Sequence, residues 1–258
     1  MDIIEHNRLA WDQQVAWRCR FTVPVDSAAV AAARQGQCRV YLTPCKPIPA
    51  DWLGTLPGRR VLCLASGGGQ QGPLLAAAGA KVTVLDNSPA QLAQDELVAA
   101  RESLEIRTIQ GDMADLSVFA DGQFELIVHP VSNTFVPDVR PVWREAFRVL
   151  CGGGSLLSGF DNPVLHVFDQ DAYAQGRLEV KHKLPYSDVA VFTGPQRQER
   201  LRKGHALEFG HTLEDQIGGQ IGAGFVITGF YEDTDSPEAN DLLSTYMPTY
   251  IATRACKA

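Results

Sequence analysis

The sequence predicts an α/β fold built on a doubly wound parallel sheet, and three observations point to it. Residues 61–86 read VLCLASGGGQQGPLLAAAGAKVTVLD, which is an apolar run, a glycine-rich turn, an apolar helix and a second run ending on Asp86. The first run, Val61 to Leu64, is continuously apolar, as a strand covered by helices on both faces should be. Two more strand-like runs, Ile106 to Gln110 and Phe124 to His129, then lead to an amphipathic helix and a fifth strand. With 258 residues and 45% hydrophobic content the chain can bury a sizeable core, so one α/β domain with additions is expected rather than two domains.

Residues 1–55 hold a helix around Asn7 to Trp17, a small alanine-rich helix over Ser27 to Arg34, and a proline-rich connection, TPCKPIPADW. The core occupies residues 56–160. After its first strand the chain needs glycine. Gly67, Gly68 and Gly69 lack a Cβ, so the backbone can take left-handed angles and approach a ligand, while the next helix aims unpaired N–H groups at the same place. Asp86 ends the second strand, 19 residues after Gly67, where a carboxylate can accept hydrogen bonds from both hydroxyls of a ribose. The third strand runs into GDMADL (Gly111 to Leu116) and the fourth into HPVSNTF. Val142 to Phe160, VWREAFRVLCGGGSLLSGF, is a helix stopped by three glycines and followed at once by strand five. Residues 161–211 form an insertion broken at Pro163, Pro185, Gly194 and Pro195, in which the alternation of LEVKHKLPY predicts strands. Residues 212–258 begin with a helix, HTLEDQIGGQIGAGF, capped by Thr212 and carrying Glu214 and Asp215 in its first turn. FVITGFYED and PTYIATRAC then supply the last strands.

The glycine turn reads in two ways. Gly67, Gly69 and Gly72 satisfy GxGxxG with an acid about 20 residues on, the fingerprint of a dinucleotide such as NAD. The distance from Gly72 to Asp86 is short for that. Alternatively Ala65, Gly67 and Gly69 fill the positions of a GxGxG loop that wraps S-adenosylmethionine, and the motif alone leaves both open. With GDMADL, HPVSNTF and the triple-glycine stop downstream, the sequence resembles the class I S-adenosylmethionine-dependent methyltransferases, in particular small-molecule enzymes with a ubiquinone/menaquinone-methyltransferase-like core. The resemblance covers roughly Leu56 to Phe160 and returns near the C-terminus. It implies a Rossmann-like, seven-stranded sheet with an antiparallel C-terminal edge hairpin, roofed by the N-terminal helices and the insertion.

By resemblance, Ala65, Ser66, Gly67, Gly68 and Gly69 hold the methionine part of the cofactor, Asp86 binds the ribose and Asn87 lies against the adenine. Asp112 hydrogen-bonds the adenine amino group and Met113 packs on the ring. His129 would face the methionine carboxylate or the substrate. Cys63 and Ala65 stand where the family commonly has an acid and a glycine. Ala65 is a mild change if its angles lie in the β region, whereas Cys63 removes a carboxylate that usually helps orient the loop. An oxygen nucleophile benefits from a general base, for which His129, at the reactive edge of the sheet, and His166, in the insertion, are the candidates. Asn133 can hydrogen-bond a polar small molecule. Trp11 is the leading candidate for the substrate wall, among the aromatics Trp17, Phe21, Tyr41, Phe160, Phe168, Tyr173 and Tyr186.

A net charge of −7 disfavours nonspecific binding to nucleic acid or anionic membranes. The basic run RQERLRK, Arg197 to Lys203, reads as a solvated helix face. HPVSN stands where nucleic-acid and amide-nitrogen methyltransferases usually carry an Asn/Asp-Pro-Pro-aromatic motif, so no nucleic acid partner is expected. No run is long enough to span a membrane and the N-terminus is too polar for a signal peptide, so a cytoplasmic protein without a membrane partner is expected. The six cysteines form no CxxC, which argues against a disulfide or metal framework and against an arsenic methyltransferase. His205, Glu208, His211, Glu214 and Asp215 invite a metal reading, but the glycines among them break any single helix face and no metal is expected. The function expected is methyl transfer from S-adenosylmethionine to a small molecule, with an NAD-dependent oxidoreductase and a noncatalytic S-adenosylmethionine-binding protein as alternatives.

Overall fold

The computed structural model describes residues 2–239 and 241–258. In chain order its elements are α1 (Ile3–Ala16), α2 (Ser27–Arg34), α3 (Ala50–Leu53), β1 (Arg60–Leu64), α4 (Gln71–Ala77), β2 (Lys81–Asp86), α5 (Pro89–Glu102), β3 (Ile106–Gln110), β4 (Phe124–His129), α6 (Arg140–Val149) and β5 (Leu150–Asp161). The insertion adds α7 (Gln170–Ala174), β6 (Tyr186–Ser187), α8 (Asp188–Val191), α9 (Gly194–Arg202) and β7 (Phe209–Gly210), and the chain finishes through α10 (Gly219–Gly222), β8 (Val226–Asp233) and β9 (Tyr250–Cys256).

Seven strands form one sheet in the order β3-β2-β1-β4-β5-β9-β8. The first five are parallel, and β9 runs antiparallel between β5 and β8. Strand pleating divides the core in two. Val61 and Cys63 of β1 meet Leu74 and Leu75 of α4 and Leu92 of α5 on one face, while Leu62 and Leu64 meet Val142, Trp143 and Ala146 of α6 on the other. All four β1 residues are fully buried, which is why the run is apolar without alternation. The chain proceeds outward from β1 to β2 and β3, then returns past β1 to β4. Connections therefore diverge at the carboxyl ends of β1 and β4, and a crevice opens there.

Helix α1 begins earlier than its apolar pattern suggests, because the Asp2 carboxylate accepts from the amides of Ile4 (2.9 Å) and Glu5 (3.3 Å) and caps it. LEVKHKLPY does not form the expected strands. It makes one bridge, Val180 to Phe168, and only its last residue enters the two-residue β6, which pairs with β7. Thr212 does cap as its position suggests, accepting from the Asp215 amide at 3.1 Å, but the turn it starts is π-helical over Glu214–Gly218 before α10. Helix α1 is fastened to the insertion by side chains on main chain. Asn7 donates to the carbonyls of Phe135 (2.9 Å) and Leu207 (3.1 Å) and accepts from the Leu207 amide (2.7 Å), and Gln14 donates to the Gly204 carbonyl (2.7 Å). Among the described residues no helix is long and apolar enough to cross a membrane.

Candidate active site

The loop that leaves β1 turns sharply toward α4. Ala65 has φ +46°, with Gly68 at +111° and Gly69 at +72°. Ala65 therefore does not take the β-region angles that would make it a mild change. Its left-handed conformation costs an L-residue with a Cβ about 1–2 kcal/mol. The amides of Gly67, Gly68 and Gly69 are tied by carboxyl groups. Gly67 N–H donates to Asp86 Oδ2 at 2.9 Å, and those of Gly68 and Gly69 both donate to Asp95 Oδ2 at 3.1 Å. Asp86 Oδ1 accepts from the Ser88 amide (2.9 Å). Gly67 has no room for a side chain, since a Cβ would lie 2.7 Å from Gln91 Cβ and 3.1 Å from the Asp86 carboxylate. Burial raises the pKa of Asp86 and pushes that of Asp95 up to about 8.

The loop borders a cavity of about 1240 Å³. Ala65, Ser66, Gly67, Asp86, Asn87, Gln91, Asp112 and Met113 line it from the strand ends and α5, and Asp161, His166, Tyr173, Glu208 and Tyr250 from the insertion and the far strands. Trp11 faces it from α1 and sets its ring edge-on to Phe135, with centroids 5.2 Å apart. His166 is 5% exposed and stacks on Tyr186, and its Nε2 lies 3.5 Å from Asp161 Oδ2. Burial works against its imidazolium, but Asp161, with Glu208 and Asp188 behind, outweighs that and raises the pKa. Burial likewise pushes Glu208 up to about 7, against the pull of His166.

The fold is shared with solved structures, among them an S-adenosylmethionine dependent methyltransferase from Mesorhizobium loti, with a TM-score of 0.57 at 21% identity over 80% of this chain and 94% of that one. Residues 62–158 match the family model described as a methyltransferase domain. Over 255 residues the chain is 51% identical to the uncharacterized methyltransferase YbaJ of Bacillus subtilis (strain 168), which spans 99% of this chain and 98% of that protein. This chain belongs to the class I S-adenosylmethionine-dependent methyltransferases. The methyltransferase is also 28% identical, over 43% of its length and 48% of the other's, to a ubiquinone biosynthesis O-methyltransferase of Xanthomonas campestris pv. campestris (strain B100).

Two of the residues singled out in the methyltransferase's sequence stand inside the wall instead of at the cavity. His129 is fully buried, with Nδ1 2.8 Å from the Leu64 carbonyl and Nε2 2.6 Å from the side-chain amide of Asn133. Burial lowers its pKa, and both ring nitrogens are occupied, so the expected general base has no free atom for an acceptor. Asn133 is fully buried too, and its other amide atom bonds Gln216 at 3.1 Å, so the expected contact with substrate is spent on packing. Their neighbours Pro130, Val131, Ser132 and Thr134 form the lining instead. Gly68 and Gly69 lie behind the loop, toward Asp95. Of the aromatics, Trp11, Phe21, Tyr41 and Tyr173 reach the cavity, and Trp17, Phe160, Phe168 and Tyr186 do not line it.

Sequence reasoning missed Gln91 and Asp95 and saw Glu208 only within a metal-like cluster. The signal for the first two was available. Gln91, Leu92, Asp95 and Val98 are the buried stripe of α5, so an amide and an acid occupy positions the helical period assigns to the core. Ser66 Oγ and Gln91 Oε1 are buried beside the loop without a hydrogen-bond partner among the described residues, at residues 4% and 5% exposed. Orphaned atoms of that kind, next to a carboxylate and a glycine loop, suit a ligand rich in donors such as an adenosyl amino acid.

Proposed function

We propose that this methyltransferase acts on a small, largely apolar molecule bearing a hydroxyl or amine, and that His166 receives the proton the acceptor gives up. The observation that carries this reading is the continuity of one cavity from the glycine loop to His166, with aromatic walls between. In this reading the backbone of Ala65 to Gly67, with Ser66 and Gln91, holds the methionine part of the cofactor, and Gly68 and Gly69 shape the loop from behind. Asp86 takes the ribose hydroxyls, Asn87 and Met113 lie against the adenine and Asp112 meets its amino group. The bound cofactor supplies a methyl group on a sulfonium leaving group, so the protein's part is alignment and exclusion of water. Trp11 closes the mouth over the acceptor. With the cofactor held there, its methyl group would be available to the acceptor's oxygen or nitrogen, and the neutral thioether would be the leaving group. The acceptor's proton passes to the imidazole of His166, whose charged form Asp161 and Glu208 stabilise. His129 holds β4 against β1 and moves no proton.

Charge on the lining supports the choice of acceptor. Six carboxylates, Asp2, Asp86, Asp112, Asp138, Asp161 and Glu208, face Arg20 and Arg39, and Arg20 is already held by both oxygens of Asp235 at 2.9 and 2.8 Å. A phosphate or carboxylate on the acceptor would meet repulsion from most of the charged groups in the lining. The same balance disfavours a nucleic acid. Six free cysteines fit a reducing compartment, and we place the enzyme in the cytoplasm.

The test is transfer of radiolabelled methyl from S-adenosylmethionine to matched phenols, benzylamines, benzoates and a mixed RNA and DNA sample. Label in the phenols or amines is expected. Its appearance only in the benzoates or nucleic acid would overturn the reading. With a labelled acceptor, kcat/KM should fall on the acid side of a pKa above the ordinary histidine value of about 6.5, because a charged imidazole cannot accept a proton. His166→Gln should lower kcat by about 10²–10⁴ and remove that limb.

A further inference from the structure

We propose that Asp95 is the positioning residue of the cofactor loop, gripping the backbone of Gly68 and Gly69 from α5 and so setting the shape in which Ala65 to Gly67 face the cofactor. Its Oδ2 accepts from both amides at 3.1 Å, sharing the Gly68 N–H with the Gln91 carbonyl at 3.0 Å, and the side chain is fully buried. Together with the bond from Gly67 to Asp86, three successive amides are fixed by two carboxylates on neighbouring elements. The rest of the local structure is arranged around Asp95. Gly72 in the first turn of α4 passes so close that a Cβ there would lie 2.9 Å from both Asp95 Oδ1 and Val84 Cγ2, so this glycine makes room for the acid and for β2 rather than for a second phosphate. Gln91 stands one helical turn before Asp95 on the same face of α5, its Cβ against Gly67.

Stability alone does not account for an acid here. Asp95 has no ion-pair partner among the described residues, and its Oδ1 has no hydrogen-bond partner. A leucine in this stripe would join Leu92 and Val98 in the core, whereas a buried carboxyl with one idle oxygen is costly. Beneath the loop β1 contributes Cys63, a fully buried thiol that burial keeps uncharged, so the fixing group comes from the helix side. An acceptor oxygen at this point, and not a charge, is what two N–H groups require.

The inference rests on the proposed register of the cofactor site, and calorimetric titration of S-adenosylhomocysteine into four proteins tests the two separately. Asp86→Ala addresses the register and should abolish binding; undiminished affinity would remove the register itself. Asp95→Asn keeps a carbonyl oxygen in place and should bind within about threefold of wild type. Asp95→Ala, with an unchanged circular dichroism spectrum, should bind at least about tenfold more weakly, with KM for the cofactor rising more than kcat falls. An alanine variant that binds like wild type, or an asparagine variant as weak as the alanine, would overturn the role. Should Asp95→Ala fail to fold, hydrogen exchange in the wild type decides. The amide of Gly69, which donates to Asp95, should already be protected without ligand, and free exchange there would refute a loop held in advance.

Discussion

At Ala65 a side chain sits where the turn needs glycine, and φ of +46° is the cost left visible. Ala65→Gly should raise unfolding stability by about 0.5–1 kcal/mol, the relief of strain less the greater chain entropy of glycine. Urea denaturation measures it, and a lower midpoint would mean that the methyl group packs well enough to outweigh its strain. The sequence showed an alanine in a glycine position but not its angle, because that angle is set by how a strand in one layer must enter a helix in the next. His129 teaches a related lesson. Its place at the end of β4 was legible, yet in a pleated strand a residue's face is decided by parity, and this one points its ring back to Leu64 while Pro130 to Ser132 reach the cavity. His166 was legible only as a histidine in the insertion. The carboxylates around it, Asp161 and Glu208, come from a strand end and from a segment more than forty residues on.

Helix α5 shows how far the element scale was readable. Its start is written in SerPro, where the Ser88 hydroxyl accepts from the Gln91 amide at 3.1 Å and Pro89 opens the first turn. What the helix does for the loop depends on the approach of α4, which no local pattern states. Asp95 also gives the element a measurable pH dependence. In the native protein burial holds its proton up to about pH 8, while the unfolded chain releases it near the ordinary aspartate value of 3.8. Between those limits the native state holds one more proton than the unfolded one, so stability falls as pH rises through the window and levels off above it. Asp95→Asn has no proton to lose. Chemical denaturation from pH 5 to 9 should therefore show a smaller decline in the variant, by on the order of a few kcal/mol. Parallel declines would mean that Asp95 is ionised throughout. The insertion was the least readable element, since the alternation of LEVKHKLPY promised strands but no long edge lies alongside to pair with it.

Over the whole molecule, the sheet and its cofactor edge were legible because each strand, turn and helix is contiguous, whereas the roof is assembled from pieces about 200 residues apart. Asn7 is one fastening between them, beside Gln14, with bonds to Leu207 and Phe135. Asn7→Ala leaves those main-chain groups without partners and should destabilise the protein by about 2–3 kcal/mol. It should also speed limited proteolysis in residues 197–210, while the affinity for S-adenosylhomocysteine holds. Unchanged cleavage would show that the roof is secured elsewhere. The acid-rich lining has a consequence for the direction of turnover. Methyl transfer turns a sulfonium into a neutral thioether, so the product carries one positive charge fewer than the donor that entered. Walls that attract the incoming cation would hold the spent cofactor less firmly, so the chemical step itself would turn the site from capture toward discharge.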